Sequence, residues 1–283
     1  MPEAPDNQLK QLVSTVHGSS KYQSIAPGLI ERIGVIELKN RRNLKKAIKA
    51  TKNKLHQVAG AYFEVRPNYP AWLDLIRNAQ STNNRDELLR VCKQIMLNHS
   101  STRERLGILD QFYSLVLGGL PPIRSILDLA CGLNPLAIPW LKLTKGVQYY
   151  AVDIYQDMLD FLREYMALLP INGYTKAVDI VDFNASPSFD APQSFDAPQS
   201  FDVAFILKVI PCFEQIDPHT GAWLIENINA AHLVVSYPVH SLGGKEKGMQ
   251  TTYEDRFQEL VAGKNWEIKR WDFPSELVFM ITK

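Results

Sequence analysis

From residue 125 onward, short apolar runs alternate with amphipathic helical stretches, and this alternation constrains the fold more than any other feature of the chain. Strands are predicted over 125–129, 148–153, 176–181, 202–207 and 232–236. Helices are predicted between several of them, notably over 156–169 and 219–229. Strands that alternate with helices form a mostly parallel sheet with helices on both faces. Two closing β-rich runs, WEIKRWDF and ELVFMITK, are spaced like a hairpin, so an antiparallel pair is expected at the sheet's end.

The chain before this region is predicted to be helical and to carry a basic surface. Leu44, Ile48, Leu55, Val58 and Tyr62 fall near helical spacing, which predicts a helix over 39–62 with one apolar face. The other face of this helix holds eight basic residues and no acid: Lys39, Arg41, Arg42, Lys45, Lys46, Lys49, Lys52 and Lys54.

Two more helices are expected before the chain breaks at GGLPP (118–122). One covers 85–97. The other follows NHSSTRER, in which Ser101 and Glu104 have the spacing of a capping box. We therefore expect a helical domain over 1–118 and a second domain over 119–283.

The charge of the chain is unevenly distributed along its length. Residues 1–110 contain 18 Lys and Arg against 10 Asp and Glu, whereas residues 111–283 contain 13 against 20. A run of charges is usually just a solvated face. An excess of this size instead favours a polyanion partner, because several neutralised phosphates give strong, salt-dependent affinity. No aromatic-rich signature of an RRM-type RNA-binding module accompanies it.

Several classes of protein are disfavoured by composition. No run approaches the roughly 18 consecutive apolar residues of a membrane helix, and the start of the chain does not have the pattern of a signal peptide. Cys92, Cys131 and Cys212 are far apart and odd in number, which indicates a reducing cytoplasm and neither a disulfide framework nor a metal site. The hexapeptide repeat SFDAPQSFDAPQSFD (188–202) is interpreted as a surface loop lengthened by duplication.

The stretch SILDLACGLNPLAIPW (125–140) predicts a strand that turns into a helix, the place where nucleotides bind in such sheets. A dinucleotide turn uses three glycines, and this turn has only Gly132, so an NAD-dependent oxidoreductase is disfavoured. Asn134 is a suitable helix cap and Pro135 fits the first helical position. With the small Ala130, the turn suits a nucleoside that lacks a pyrophosphate, such as S-adenosylmethionine (SAM).

Three acids, Asp128, Asp153 and Asp182, lie at or near the ends of the first three predicted strands. One such carboxylate is usually only solvated, but three in register favour a ligand rim. In that reading Asp153 accepts hydrogen bonds from ribose hydroxyls and Asp182 accepts one from an adenine amino group. Lys208, after the fourth strand, either meets a phosphate, base or acid or forms an ion pair with a rim aspartate. The Gly- and Lys-rich stretch SLGGKEKGM (241–249) suits RNA backbone contact, or is a plain flexible loop.

Five segments resemble the 16S ribosomal RNA guanine-N7 methyltransferases that confer aminoglycoside resistance: LHQVAGAY, HSSTRERL, LDLACGLNPLA, LKVIPCFE and SYPVHSLGGKEKGM. The resemblance implies a Rossmann-like SAM-dependent methyltransferase with a mostly parallel seven-stranded sheet and an N-terminal helical domain. It also implies methylation of a guanine in the decoding A site of the 30S subunit, which blocks gentamicin- and kanamycin-type drugs. His240 stands where members often carry Arg, and the hexapeptide repeat is extra.

The same resemblance implies roles for individual residues. Arg105 contacts the SAM carboxylate, and the wider cofactor set is His99, Ser101, Arg105, Asp128, Ala130, Gly132, Asp153, Val181, Asp182 and Leu207. Lys208 lies at the methyl-transfer centre, where no general base is expected because guanine N7 carries a free lone pair and no proton. The rRNA is held by Arg41, Arg42, Lys45, Lys46, Lys49, Lys245, Lys247 and Met249.

The expectation is therefore a monomeric cytoplasmic enzyme with SAM as cofactor, no metal, and the 30S subunit as partner. A SAM methyltransferase that acts on another RNA position or on a small molecule is the alternative. A non-enzymatic RNA-binding protein is a third class, although it would not need the three strand-end acids.

Overall fold

The computed structural model describes residues 5–58, 62–63, 66–180, 200–215, 217–239 and 249–283. Most of the hexapeptide repeat and four predicted site residues lie outside this part of the chain: Val181, Asp182, Lys245 and Lys247. Their proposed roles stay predictions.

The described residues form one seven-stranded sheet in the order β3-β2-β1-β4-β5-β7-β6. The strands are β1 Ser125–Leu129, β2 Gln148–Asp153, β3 Asn172–Ala177, β4 Phe201–Leu207, β5 Ala230–Pro238, β6 Glu267–Asp272 and β7 Glu276–Thr282. The first five strands are parallel to one another, and β7 runs antiparallel to both β5 and β6. The predicted fold class, a mostly parallel sheet that closes with an antiparallel pair, is confirmed.

The prediction for β3 is wrong by four residues, because the strand covers Asn172–Ala177 rather than 176–181. This strand is at the edge of the sheet and is only half-buried along its length, so it lacks the apolar run typical of a central strand. The apolar residues that suggested the strand lie beyond it. Among them Ile180 is buried, and it lines a cleft at the end of the sheet.

The sheet has a separate apolar core on each face. The helices on one face are α4 Tyr69–Ser81, α5 Arg85–Met96, α7 Leu109–Val116, α8 Ile138–Leu141 and α9 Gln156–Ala167. Those on the other are α10 Ile210–Glu214, α11 Thr220–Asn227 and α12 Met249–Val261. Helices α4, α5 and α7 belong to the predicted N-terminal domain but share a core with the sheet. A boundary at 118 therefore stays a prediction.

The first three helices have a core of their own. They are α1 Pro5–His17, α2 Pro27–Asn40 and α3 Leu44–Val58, and they pack around side chains such as Leu12, Ile30 and Ala47. The predicted helix over 39–62 is wrong at both ends, since residues 41–43 separate α2 from α3 and α3 ends at Val58. The cause at the first end is Asn43, whose side-chain oxygen accepts the backbone N–H of Lys46 (3.0 Å) and so caps a new helix.

The capping-box prediction at Ser101 is also wrong. Helix α6 covers Ser100–Arg105, follows His99, and has no side-chain cap hydrogen bond. The Glu104 side chain forms an ion pair with Lys208 (2.8 Å) instead of a capping hydrogen bond at the start of the helix. In the described part of the chain, no helix is long and apolar enough to cross a membrane.

Candidate cofactor and RNA site

A cleft of about 920 Å³ opens at the carboxyl ends of β1, β2 and β4, the edge where open α/β sheets bind ligands. The structure brings Lys208 and most of the predicted cofactor residues together in its lining; these cofactor residues are His99, Ser101, Arg105, Asp128, Ala130, Gly132, Asp153 and Leu207. Residues of α2 and α3 complete the wall, among them Leu29, Arg32 and Val58. The cleft therefore lies between the sheet and the basic helices.

The loop after β1 is held by the end of β2. The Asp153 carboxylate accepts the backbone N–H of Gly132 at Oδ2 (2.9 Å) and that of Ile154 at Oδ1 (2.7 Å). Burial raises the pKa of Asp153, and these backbone donors offset part of that rise. Ala130 has a φ of 49° and Lys208 a φ of 61°, a conformation that is uncommon outside glycine. Such backbone strain clusters at binding and active sites.

The missing side chain of Gly132 makes room for a neighbouring histidine ring, a reason for this glycine that the sequence did not reveal. A Cβ atom here would lie 2.6 Å from Cε1 of His99. The His99 ring is fixed between Tyr62, stacked at 5.3 Å, and Phe63, edge-on at 5.0 Å. Burial, followed by nearby Arg105 and Lys208, lowers the pKa of His99 to about 3, so the ring is neutral. Its Nδ1 atom is buried without a hydrogen-bond partner in the described structure.

Arg105 is buried and pairs with Glu276, a residue that sequence reasoning missed. Its guanidinium donates to Glu276 Oε1 through Nε (2.7 Å) and to Oε2 through Nη2 (3.0 Å). A third N–H donates to Asn134 Oδ1 (2.8 Å). Burial alone would raise the pKa of Glu276, but Arg105 and Lys208 outweigh it and hold that pKa below its ordinary value. This carboxylate is therefore a buried anion between two cations.

Lys208 shares Glu276 and is itself fully committed to ion pairs. Its Nζ atom lies 2.8 Å from Glu104 and 3.1 Å from Glu276, and it donates to the backbone oxygen of Ser101 (3.3 Å). Of the two roles left open for this residue, the structure shows an ion pair, with glutamates rather than with a rim aspartate. The pair joins α6, β7 and the end of β4 at the floor of the cleft.

Asp128 is anchored from the protein side. Its Oδ2 atom accepts the side-chain amide of Asn134 (3.0 Å) and the hydroxyl of Tyr149 (2.6 Å). Burial raises the pKa of Asp128 to about 6, with those two donors opposing the rise. Asn134 begins a short 3-10 helix, Asn134–Ala137, without capping it by a side-chain bond, which corrects the predicted capping role. Its side chain instead joins Asp128 to Arg105.

Asp179 is the acid that follows β3 in the lining of the cleft, and it was also missed. It is buried and receives both Nε (2.5 Å) and Nη2 (3.0 Å) of Arg32 from α2. The VDIVD stretch offered two aspartates, and the misplaced strand directed attention to Asp182. That residue lies outside the described part of the chain.

The basic residues of α2 and α3 are mostly on the surface. Those that are exposed are Lys39, Arg41, Arg42, Lys45, Lys46 and Lys49. Arg41 pairs with Glu37 (2.7 Å), whereas Lys52 donates to Ser19 and Lys54 to the backbone of Gln215.

Met249 begins α12, and its side chain is outside the description. Among the described residues, no His, Cys, Asp or Glu cluster is suited to a metal ion.

Comparison with known proteins finds a family model and full-length relatives. The model described as "Ribosomal RNA methyltransferase (FmrO)" matches residues 18–280. A 16S rRNA (guanine(1405)-N(7))-methyltransferase of Micromonospora rosea is 32% identical over 98% of both chains. One of the same name from Frankia casuarinae is 33% identical over 95% of this chain and 92% of the relative. The solved 16S rRNA methyltransferase RmtF, in complex with S-adenosyl-L-homocysteine, shares the fold, with a TM-score of 0.79 at 24% identity over 99% and 100% of the two chains.

Proposed function

The chain belongs to the ribosomal RNA methyltransferase (FmrO) family, and we infer that it transfers a methyl group from SAM to N7 of a guanine in 16S rRNA. One observation carries this inference: the family match runs through both the basic helices and the cleft. The nucleotide is guanine 1405, the position in the names of the Micromonospora and Frankia relatives. The substrate is the 30S subunit in the cytoplasm, the enzyme acts as a monomer, and the modification protects the decoding site from gentamicin- and kanamycin-type drugs.

The lining of the cleft fits the parts of SAM. Three of the five N–H groups of Arg105 donate to Glu276 and Asn134 and a further one interacts with Tyr113, which leaves one for a ligand carboxylate. The Asp153 carboxylate has about four acceptor positions and receives backbone N–H groups of Gly132, Ile154 and Tyr155, so it keeps capacity for a ribose hydroxyl. The Nδ1 atom of His99 is a buried polar atom without a hydrogen-bond partner in the described structure, so it can form a hydrogen bond with a ligand. Asp179, rather than Asp182 alone, is now a candidate for the adenine amino group.

The reaction needs placement more than acid–base chemistry. SAM, when bound, supplies a methyl group already activated by its sulfonium, and guanine N7 presents an in-plane lone pair with no proton to remove. Lys208 is held by Glu104 and Glu276, so its role is to order the floor of the cleft rather than to accept a proton. The work of the site is therefore proximity and in-line orientation, which can contribute a large part of a rate enhancement.

The rRNA is held by the exposed cations of α2 and α3 together with Lys245, Lys247 and Met249. The helices border the cleft through Leu29, Arg32 and Val58, so RNA bound on them lies next to the reacting group. Phosphate contacts of this kind position a nucleic acid without reading its sequence. Recognition of one guanine then requires the folded 30S subunit.

Incubation with radiolabelled SAM and purified 30S subunits tests this function. Parallel reactions contain free 16S rRNA, 50S subunits, or an aminoglycoside without RNA. We expect label in the 16S rRNA of 30S subunits and none in the other three reactions. Label in the drug or only in free RNA would support a different methyltransferase, and no label anywhere would contradict the assignment.

A further inference from the structure

The three N-terminal helices meet the cofactor cleft along a seam of backbone hydrogen bonds. Ile25 pairs with Tyr155 in an antiparallel bridge. The N–H of Ala26 donates to the carbonyl of Ile154 (2.7 Å), and that of Gln156 donates to the carbonyl of Ser24 (2.8 Å). Backbone bonds of this kind fix the relative position of two segments more closely than side-chain packing does, because both partners lie on the main chain.

This seam continues directly into the loop after β1. The N–H of Gly132 donates to Asp153, which also accepts the N–H of Ile154, whose carbonyl accepts the N–H of Ala26. Ala26 is the residue that precedes α2, and α2 leads to the exposed cations at 39–49. An unbroken chain of hydrogen bonds therefore runs from the cofactor loop to the helix that precedes the basic surface.

An ion pair between a partly buried arginine and a buried aspartate closes the seam at its other side. Arg32 of α2 donates hydrogen bonds to both oxygens of Asp179, and the Arg32 and Asp179 side chains are only 18% and 2% exposed. A forked arginine–carboxylate pair fixes direction as well as distance. Buried ion pairs add little net stability, because desolvation offsets their attraction, but they can specify one arrangement over others. Because Arg32 and Asp179 both line the cleft, a ligand there touches both sides of the seam.

We propose that Arg32 is a positioning residue for methyl transfer, which couples occupancy of the cleft to the placement of the basic α2–α3 surface. This inference rests on the proposed function. A ligand that contacts both sides of the seam binds the docked arrangement better than a displaced one, and so it shifts the population toward docking. In the docked arrangement the exposed cations lie at a fixed position relative to the cleft. Cofactor and 30S subunit then each raise the affinity of the protein for the other by the same factor.

The test is a complete binding cycle with S-adenosyl-L-homocysteine as the cleft ligand. The affinity for 30S subunits is measured with and without this ligand, and the affinity for the ligand with and without subunits. For the parent protein we expect each to tighten the other at least about fivefold, the lower end of usual couplings. Arg32→Met is expected to reduce this factor below about twofold. Arg32→Lys, which keeps the charge but not the fork, should restore part of it.

Two further variants separate coupling from simpler effects. Lys10→Met also removes one cation from the N-terminal helices, but from an exposed pair with Asp6, so it should keep the coupling of the parent. Asp179→Asn breaks the Arg32–Asp179 pair by removing the aspartate charge. It replaces Arg32→Met in the test if Arg32→Met does not fold. The rate of a single turnover, with SAM and 30S subunits both saturating, should fall at least about tenfold in Arg32→Met, because small misplacements slow transfer strongly.

The outcomes distinguish this inference from the proposed function. Parent protein that neither binds nor methylates 30S subunits overturns both. Parent protein that methylates 30S subunits without any coupling overturns the role of Arg32 alone. Coupling that survives unchanged in Arg32→Met, or in Asp179→Asn where that replaces it, has the same consequence.

Discussion

Replacement of Glu276 by glutamine is expected to be among the most damaging changes that preserve side-chain shape in this protein. Glu276 is fully buried and lies between Arg105 and Lys208, at 2.7 and 3.1 Å from their nitrogens. In Glu276→Gln one oxygen that accepts hydrogen bonds becomes an NH₂ group that faces donors, and the negative charge disappears. Lys208 keeps Glu104 as a partner, but Arg105 loses its only ion pair described in the structure.

The size of the effect follows from the cost of an uncompensated buried charge. Removing one partner of a buried pair typically costs about 3–5 kcal/mol, a large share of the roughly 5–15 kcal/mol by which domains are stable. At about 2–4 °C per kcal/mol for a large domain, the melting temperature should fall by roughly 6–20 °C. Because Arg105 is also expected to hold the SAM carboxylate, cofactor affinity should fall in the variant even at temperatures where it is folded.

The pH dependence gives an independent check of the same charge. The folded pKa of Glu276 lies below its ordinary value of 4.5, so its stabilisation is complete above pH 4.5 and is lost as pH falls through the lowered value. Glu276→Gln should therefore lose less stability than the parent on acidification below pH 4.5. The assay is chemical denaturation at several pH values, with calorimetry for SAM.

Glu267→Gln is the matched control for this prediction. Its carboxylate is 63% exposed and pairs with Lys269 at 3.4 Å, so less than about 1 kcal/mol should be lost. Equal stability losses in the two variants, or unchanged SAM affinity in Glu276→Gln, would refute the account of a buried anion that orders Arg105 and Lys208.

Three further changes test other parts of the site. Asp153→Ala should abolish SAM binding in calorimetry while the circular dichroism spectrum of the fold persists; normal SAM affinity would refute its role. Gly132→Ala places a methyl group 2.6 Å from the fixed His99 ring, so about 1–3 kcal/mol of stability should be lost on thermal unfolding, and His99→Ala in the same chain should recover part of it. Unchanged SAM affinity, with weaker 30S binding and a shallower salt dependence, is expected on neutralising the exposed cations Arg41, Arg42, Lys45 and Lys46.

The central strands of this fold are readily predicted, because a strand that is buried on both faces consists of a continuous run of apolar residues. The edge strand β3 lacks that signal, and a neighbouring apolar run that leads into the cleft was mistaken for it. The break between α2 and α3 depends on the side chain of Asn43, which caps α3. The basic residues and the helical spacing around it predicted one continuous helix instead. Local features of this size fix where elements begin and end, and periodicity does not detect them.

The structure brings together the described residues of the predicted cofactor set, but the residues that hold them were not foreseen. Arg105 and Glu276 are 171 positions apart, so no local spacing relates them. Arg32 and Asp179 are likewise joined only by the folded chain. The contact between Gly132 and the His99 ring was not foreseen either, because His99 lies before α6, far from the loop in sequence.

Mapping the methyl group on 16S rRNA tests the central claim most directly. Borohydride reduces N7-methylguanine, and the reduced base has a weakened glycosidic bond. Aniline then cleaves the RNA chain at that nucleotide, and primer extension locates the break. For 30S subunits treated with the protein and SAM, we predict one new cleavage site, at guanine 1405, which is absent when SAM is omitted or Asp153→Ala is used. No new cleavage, or cleavage at a different guanine, would contradict the account.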